Sequence, residues 1–291
     1  MLGVDNDEAC ARSFKHDFPK AVVICDDIKE ISGSDIRYLI GGEADIVIGG
    51  PPCEPFTGAN PRREVEPLDR LYRDPVGRLA LEFIRIVGEL KPRVFVMENV
   101  PAIMEGELRT ALKNEFRHAG YRTIYFNVLR AEDYGTPSRR IRVFISNVKI
   151  APQRMKTRIT VAEALRGLPP PGVGYVANHD PVPLSERKLR RIARIRRGRA
   201  LYYYEGAGGR KLPNYIRLDP NDLAPTVLGS SRFIHPFENR LLTVREQARL
   251  MGFPDDHVFY GGRDQQYNQV GEAVPPPLAR AVANYIIEVL M

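Results

Sequence analysis

A thiol flanked by prolines, a carboxylate at the end of an apolar run and two arginines spaced two apart are the groups in this chain that could do chemistry. Residues 46–57 read IVIGGPPCEPFT: a strand-like run enters Gly49-Gly50, then two prolines, then Cys53. In an open α/β sheet, ligands bind beyond the carboxyl ends of the strands. A cysteine there is displayed at the functional edge, and the prolines stiffen the loop and fix the side-chain direction. The attacking species is a thiolate, which needs partial exposure and an electropositive setting; Arg62 and Arg63 lie nearby in sequence. The alternative is a free cysteine in a proline-rich loop. Residues 94–100, VFVMENV, end a second apolar run in Glu98 and Asn99. A carboxylate there can protonate or hydrogen-bond the edge of a bound base, or it can cap a helix or pair with an arginine. Residues 134–145, YGTPSRRIRVFI, place Arg140 and Arg142 on one face at the entry to a strand. One of them could grip a carbonyl oxygen or a phosphate; a surface pair is the plain alternative.

The elements that must position these groups alternate in type. Residues 21–25 (AVVIC), 45–48 (DIVI), 94–97 (VFVM), 123–128 and 143–146 read as strands, with helical spacing over 77–90 and 107–119. Continuous apolar strands separated by helices predict an α/β protein with a parallel, doubly wound sheet. Near residue 150 the texture changes. Residues 184–199 (LSERKLRRIARIRRGR) form a strongly basic, helix-like stretch, followed by Tyr202, Tyr203, Tyr204 and the glycines of 206–209. A smaller, irregular domain over 151–265 is expected, with 1–150 and 266–291 forming the larger one. Residues 243–251 read as a helix with a Thr243 cap, Glu246 three residues on and Gly252 beyond its end. A last helix covers 277–290.

A chain of 291 residues forms one large domain or one plus a smaller. The net charge of +7 suits a polyanionic partner through counterion release, without excluding a basic protein that has no nucleic-acid role. The cysteines, Cys10, Cys25 and Cys53, are odd in number and show no C-x-x-C spacing, which argues against a disulfide framework or a zinc site. Cys10, on an expected helix, and Cys25, in an expected strand, read as small core residues. No apolar run is long enough to span a bilayer, and the N-terminus carries no signal pattern, so an intracellular setting is expected; a prokaryotic, cytoplasmic one is a further expectation that these features do not themselves give.

Taken in order, these segments resemble the DNA (cytosine-5) methyltransferase family. GGPPCEPFT is similar to its catalytic Pro-Cys motif, FVMENV to its Glu-Asn-Val motif and GTPSRRIRVF to its Gln-x-Arg-x-Arg motif. RLLTVREQARLMGFPDD resembles the ninth motif, and VGEAVPPPLARAVANYI the tenth. The resemblance implies a Rossmann-like methyltransferase sheet with a smaller target-recognition domain, S-adenosyl-L-methionine as cofactor and duplex DNA as partner. It implies that Cys53 attacks C6 of a cytosine flipped out of the stack, that Glu98 holds or protonates N3, that Arg142 contacts the cytosine carbonyl and that Arg140 supports the loop. A mobile loop over 56–73 would close over the base. On the cofactor side it points to Asp5, Asn6, Asp27, Ile28, Pro51, Glu272 and Val274, with Asp5 on the ribose hydroxyls and Asp27 on the adenine amino group. Each strand-end Asp could equally cap the next helix. On the DNA side it points to Arg62, Arg63, Thr226 and Arg232. The arginines of 187–199 would meet phosphates or form a solvated basic helix.

Departures from the family are specific. The first motif, a strand followed by Phe-x-Gly-x-Gly, is absent, and the sequence starts at the position of the second. A gap at the sheet centre with unpaired backbone is therefore expected, filled by a neighbouring element or a separate polypeptide. Ser138 stands where the family has Gln, Glu54 where Gln is common, and Glu272-Ala273 where Asn-Ser is usual. A tRNA-methylating relative and a non-catalytic nucleic-acid-binding partner subunit are the competing readings.

Overall fold

The computed structural model describes residues 1–290. The first half runs β1 (Leu2–Asp5), α1 (Glu8–Asp17), β2 (Val22–Cys25), α2 (Gly33–Ile40), β3 (Ile46–Gly49), α3 (Pro67–Tyr72), α4 (Leu79–Leu90), β4 (Val94–Asn99), α5 (Leu108–His118), β5 (Tyr125–Arg130) and β6 (Ile141–Ser146). The second half runs α6 (Val161–Leu165), α7 (Glu186–Ala193), β7 (Ala200–Glu205), β8 (Lys211–Ile216), α8 (Val244–Leu250), α9 (Arg263–Glu272) and α10 (Pro276–Leu290).

Four strands form a sheet in the order β3-β4-β6-β5. β3 and β4 are parallel, with Gly49 opposite Met97. β6 is antiparallel to both of its neighbours, so the all-parallel sheet expected from the apolar runs is corrected to a mixed one. The segment 131–140 between β5 and β6 is too short for the crossover that a parallel pair requires. Helices cover both faces of β4: Phe95 and Met97 pack with Ile84, Val87, Leu112 and Phe116 from α4 and α5, while Val94 and Val96 pack with Leu278, Val282 and Ile286 of α10. Burial on both faces explains why β4 reads as an unbroken apolar run.

β1 and β2 form a separate parallel pair, with Leu2 opposite Val22 and Asp5 opposite Cys25. Among the described residues, neither β1 nor β3 pairs along its second edge. Leu2 and Val4 of β1 and Val47 of β3 nevertheless pack on the same cluster beneath α2 and α4. Ile48 of β3 is 74% exposed. The interruption expected in the sheet is therefore present. Cys25 ends β2 and is exposed, and Cys10 is half-buried on α1; neither is the core residue its apolar context predicted, because β2 is an edge strand and α1 covers a two-stranded pair.

The second half is held by Val161, Leu218, Phe233, Leu242, Val244, Leu250, Tyr267 and Val270. α8 starts with the expected capping box between Thr243 and Glu246. α7 is shorter than the basic stretch predicted; around its end, Arg217 donates to the carbonyls of Ile192 and Ile195.

Candidate active site

Cys53 is fixed from both sides of its turn. At the end of β3, Gly49 lies so close to Phe83 that a Cβ there would meet the ring at 2.6 Å. Asn99, at the end of β4 and fully buried, donates from Nδ2 to the Pro51 carbonyl at 3.0 Å. Beyond the cysteine, Phe56 and Thr57 donate their amides to the Cys53 carbonyl, each at 3.0 Å. Phe56 is fully buried and locks the turn into the main core.

Glu98 precedes Asn99 on β4 and turns its carboxylate to the same turn. A Cβ on Gly50 would stand 3.3 Å from Glu98 Oε2, so glycine there permits the close approach. β6 runs antiparallel beside β4, with Asn99 opposite Val143, which brings Arg142 next to Glu98. Arg142 Nε lies 2.9 Å from Glu98 Oε1. This ion pair lacks hydrogen-bond alignment, so Oε1 stays buried with acceptor capacity to spare. Arg140 is fully buried and donates to the Val227 carbonyl at 2.8 Å and the Glu272 carbonyl at 3.4 Å, while its Nε has no partner. It thus joins β6 to two distant segments.

The electrostatics separate Cys53 from Cys10. Burial pushes the Cys53 thiol up from its ordinary value; Arg142 and then Arg140 pull it down, against Glu98 and Glu272. The Cys10 thiol is pushed up to about 12 by burial and by the carboxylates of Asp5, Asp7 and Glu272, with no cation to oppose them. Of these two, Cys53 is the one with the cationic setting a thiolate needs. Those cations are not Arg62 and Arg63, as their nearness in sequence had indicated: Arg63 donates to the Phe56 carbonyl and pairs with Glu105, and Arg62 is exposed. Burial likewise raises the Glu98 carboxyl, with Arg142 and Arg140 holding it down only in part. Burial and the like charge of Arg142 both press against the Arg140 guanidinium.

The remaining candidates divide. Asp5 and Glu272 share one electrostatic neighbourhood with Asp7 and Glu54. The protein around Glu272 raises its carboxyl first, and the charges of Asp5, Glu54 and Asp7 add to that. Asn6 lines an adjoining cavity of about 310 Å³ with Asp7, Glu8, Arg12 and Gln265. Carboxylates that repel one another fit a ligand carrying positive charge and hydroxyl donors, as S-adenosylmethionine does. Val274 packs against the α10 cluster, and the Pro51 carbonyl is taken by Asn99. Asp27 caps a short helical turn by accepting from the Lys29 amide at 3.0 Å, and Ile28 packs under α2 and α4. Thr226 donates to the Arg139 carbonyl. Arg232 stacks 4.0 Å over Tyr267 and pairs with Asp264. The expected mobile segment 56–73 is held at several points: Leu71 is fully buried, and Arg70 donates to Glu105 and to the carbonyls of Glu64 and Val65. Asn99 is the positioning residue that sequence reasoning left without a role, although its place beside Glu98 was visible.

The C-5 cytosine-specific DNA methylase family model matches residues 1–166 and 175–288. A Methanocaldococcus jannaschii protein classed by name with the type II methyltransferases, M.MjaORF1200P, is 53% identical over 268 residues, covering 92% of this chain and 72% of that protein. The type II methyltransferase M1.HphI of Haemophilus parahaemolyticus is 31% identical over 310 residues, covering 99% of this chain and 80% of its own. In structure, a prophage-encoded Escherichia coli protein classed with DNA modification methyltransferases superposes with a TM-score of 0.78 at 24% identity, covering 99% of this chain and 92% of that one. The Entamoeba histolytica methyltransferase EhMeth superposes at 0.68 and 17%, covering 100% and 90%. These two establish the likeness of fold. The chain belongs to the C-5 cytosine-specific DNA methylase family and is an S-adenosylmethionine-dependent enzyme that methylates cytosine at C5 in DNA.

Proposed function

We propose that Cys53 is the nucleophile of this methylation, with Glu98 and Arg142 as its partners on the base and Arg140 as the group that holds the loop. The observation that carries the assignment is the convergence of Cys53, Glu98 and Arg142 at neighbouring strand ends, with Arg142 Nε 2.9 Å from Glu98 Oε1 and both arginines favouring the Cys53 thiolate. Cys53 Sγ forms a bond to C6 of the flipped cytosine, and the ring electrons move toward N3. Glu98, whose carboxyl burial keeps protonated above the usual range, donates or holds the proton there. The Arg142 guanidinium meets the cytosine carbonyl. The cofactor, when bound, supplies the methyl group that C5 takes; Asp5, Asn6 and Glu272 would hold it. Loss of the C5 proton and cleavage of the S–C6 bond then free the thiol and 5-methylcytosine.

The division into a catalytic lobe (1–150 with 266–291) and a target-recognition lobe (151–265) is part of the proposal. It is supported by the separate apolar clusters of the two halves and by the return of α10 to β4. Tyr267 and Val270 of α9 still pack with the second cluster, which moves the return crossing to the junction of α9 and α10. The unpaired edges of β1 and β3 would accept one further strand, and a separate polypeptide is one source of it. Kinship with type II methyltransferases favours duplex DNA as substrate and a cytoplasmic restriction-modification setting; no helix among the described residues is long and apolar enough to cross a membrane. Transfer of labelled methyl groups to duplex DNA and to tRNA, by the chain and by Cys53→Ala, tests the reading. Label entering DNA and vanishing in the variant is expected. Transfer that persists in Cys53→Ala would sink it.

A further inference from the structure

The loop that carries Cys53 also touches the β7–β8 hairpin, which lies far along the chain. Past the cysteine, the Gly58 carbonyl accepts the Ala207 amide at 3.0 Å. Ala207 opens the turn of that hairpin, where Gly208 and Gly209 adopt positive φ of 66° and 74°. The neighbouring Gly206 has φ −101°, open to any residue, so torsion does not explain the glycine. Space does. A Cβ on Gly206 would sit 2.6 Å from the Gly58 carbonyl oxygen and 2.8 Å from Leu212 Cδ1, and glycine is what lets one backbone approach another so closely. The Gly206 amide is meanwhile held by the Arg210 carbonyl at 2.7 Å, so the turn is braced as it meets the loop.

A second link between the halves lies at the base of β6, where residues 137–139 bond Ala224 through main chain and Arg139, Arg140 and Thr226 reach segment 222–227 through side chains. The Gly58–Ala207 bond joins main chain to main chain, and it joins the nucleophile's loop to a hairpin whose flanks carry basic and aromatic groups: Arg191 stacks 4.7 Å over Tyr202, and Lys188 4.1 Å over Tyr215.

We infer that the Gly206–Ala207 turn positions the nucleophile loop, so that a hairpin correctly seated on its DNA sets Cys53 for attack and a poorly seated one withdraws it. The inference rests on the reading of Cys53 as nucleophile. Ala207 is the first residue of a short helical turn, a place where proline keeps the backbone shape but replaces the N–H with a ring carbon turned toward the Gly58 carbonyl. Ala207→Pro and Gly206→Ala each lose or displace this bond and crowd the Gly58 carbonyl, so each should slow single-turnover methylation of plasmid DNA by at least about 3- to 10-fold, the worth of one backbone hydrogen bond. KM for DNA should stay within about twofold, because the bond is needed for attack and not for binding. Bisulfite sequencing of the product should show methylation spreading from the preferred site to near-matches. Ala207→Ser keeps the N–H and should behave as the parent chain. A parental rate and site profile in Ala207→Pro would overturn the inference, and so would an equal loss in Ala207→Ser. Methylation by Cys53→Ser would remove the nucleophile reading alone, while the site profile of Ala207→Pro would still decide whether turn and loop are coupled.

Discussion

Asn99→Ala removes a side chain that joins the Glu98 strand to the Pro-Cys turn. Asn99 Nδ2 donates to the Pro51 carbonyl at 3.0 Å, and its Oδ1 accepts the Val100 amide at 2.9 Å. Both bonds lie where Asn99 has no exposure, so the substitution strands a carbonyl and an amide. Each stranded group costs about 1–3 kcal/mol, giving a loss of roughly 3 kcal/mol if water recovers part of it. That corresponds to a fall in Tm of about 6–12 °C in a chain of this size. The turn also loses its tether, and a displacement of about 1 Å at the nucleophile costs on the order of 100-fold in rate. Denaturant unfolding would measure the first effect, and single-turnover methyl transfer at saturating DNA, below the variant's transition, the second. A stability loss with a parental single-turnover rate would mean that Asn99 serves the fold alone. Parental stability and rate together would refute the reasoning.

Further outcomes follow from the charges around the site. Alkylation of Cys53 should accelerate with rising pH, with a midpoint above that of an ordinary cysteine, because burial outweighs the arginines; Arg142→Met should raise the midpoint further by removing the larger of the two cationic contributions, and a lower midpoint would contradict the assignment. Glu98→Gln should cost about 10²- to 10⁴-fold in methyl transfer and abolish the decline in rate at high pH that a protonated Glu98 implies; a variant retaining that alkaline limb would rule Glu98 out as the proton donor. The arginines at 190, 194 and 196 are exposed, and replacing two of them by alanine should lower the slope of log affinity against log salt by about 2, measured by fluorescence anisotropy on duplex DNA; an unchanged slope would leave the segment a solvated basic face.

How much of this was legible in the sequence depended on the kind of interaction. Cys53, Glu98 and Arg142 could be read because each closes or opens an apolar run, and the ends of strands in one sheet are neighbours by construction. The Thr243–Glu246 capping box was legible because it is local. The direction of β6 was not, since VFI looks the same in a parallel and an antiparallel strand; only the short connection from β5 decides it. The cations that act on Cys53 are a similar case: Arg62 and Arg63 are near in sequence, whereas the charges of Arg140 and Arg142 are brought to bear on the thiol through the pairing of β4 with β6. The docking of Arg217 at the end of α7 joins residues far apart in the chain, as does the meeting of Gly58 with Ala207. No local pattern announces either.

The central claim is that Cys53 bonds covalently to the target base. Duplex DNA containing 5-fluorocytosine at its target sites tests it directly, because fluorine at C5 cannot leave as a proton and the adduct persists. Incubated with the chain and S-adenosylmethionine, then denatured and digested, it should yield a crosslinked peptide carrying the modification at Cys53, and Cys53→Ala should yield none. A crosslink at Cys10 or Cys25, or methylation of ordinary DNA with no crosslink at Cys53, would contradict the account.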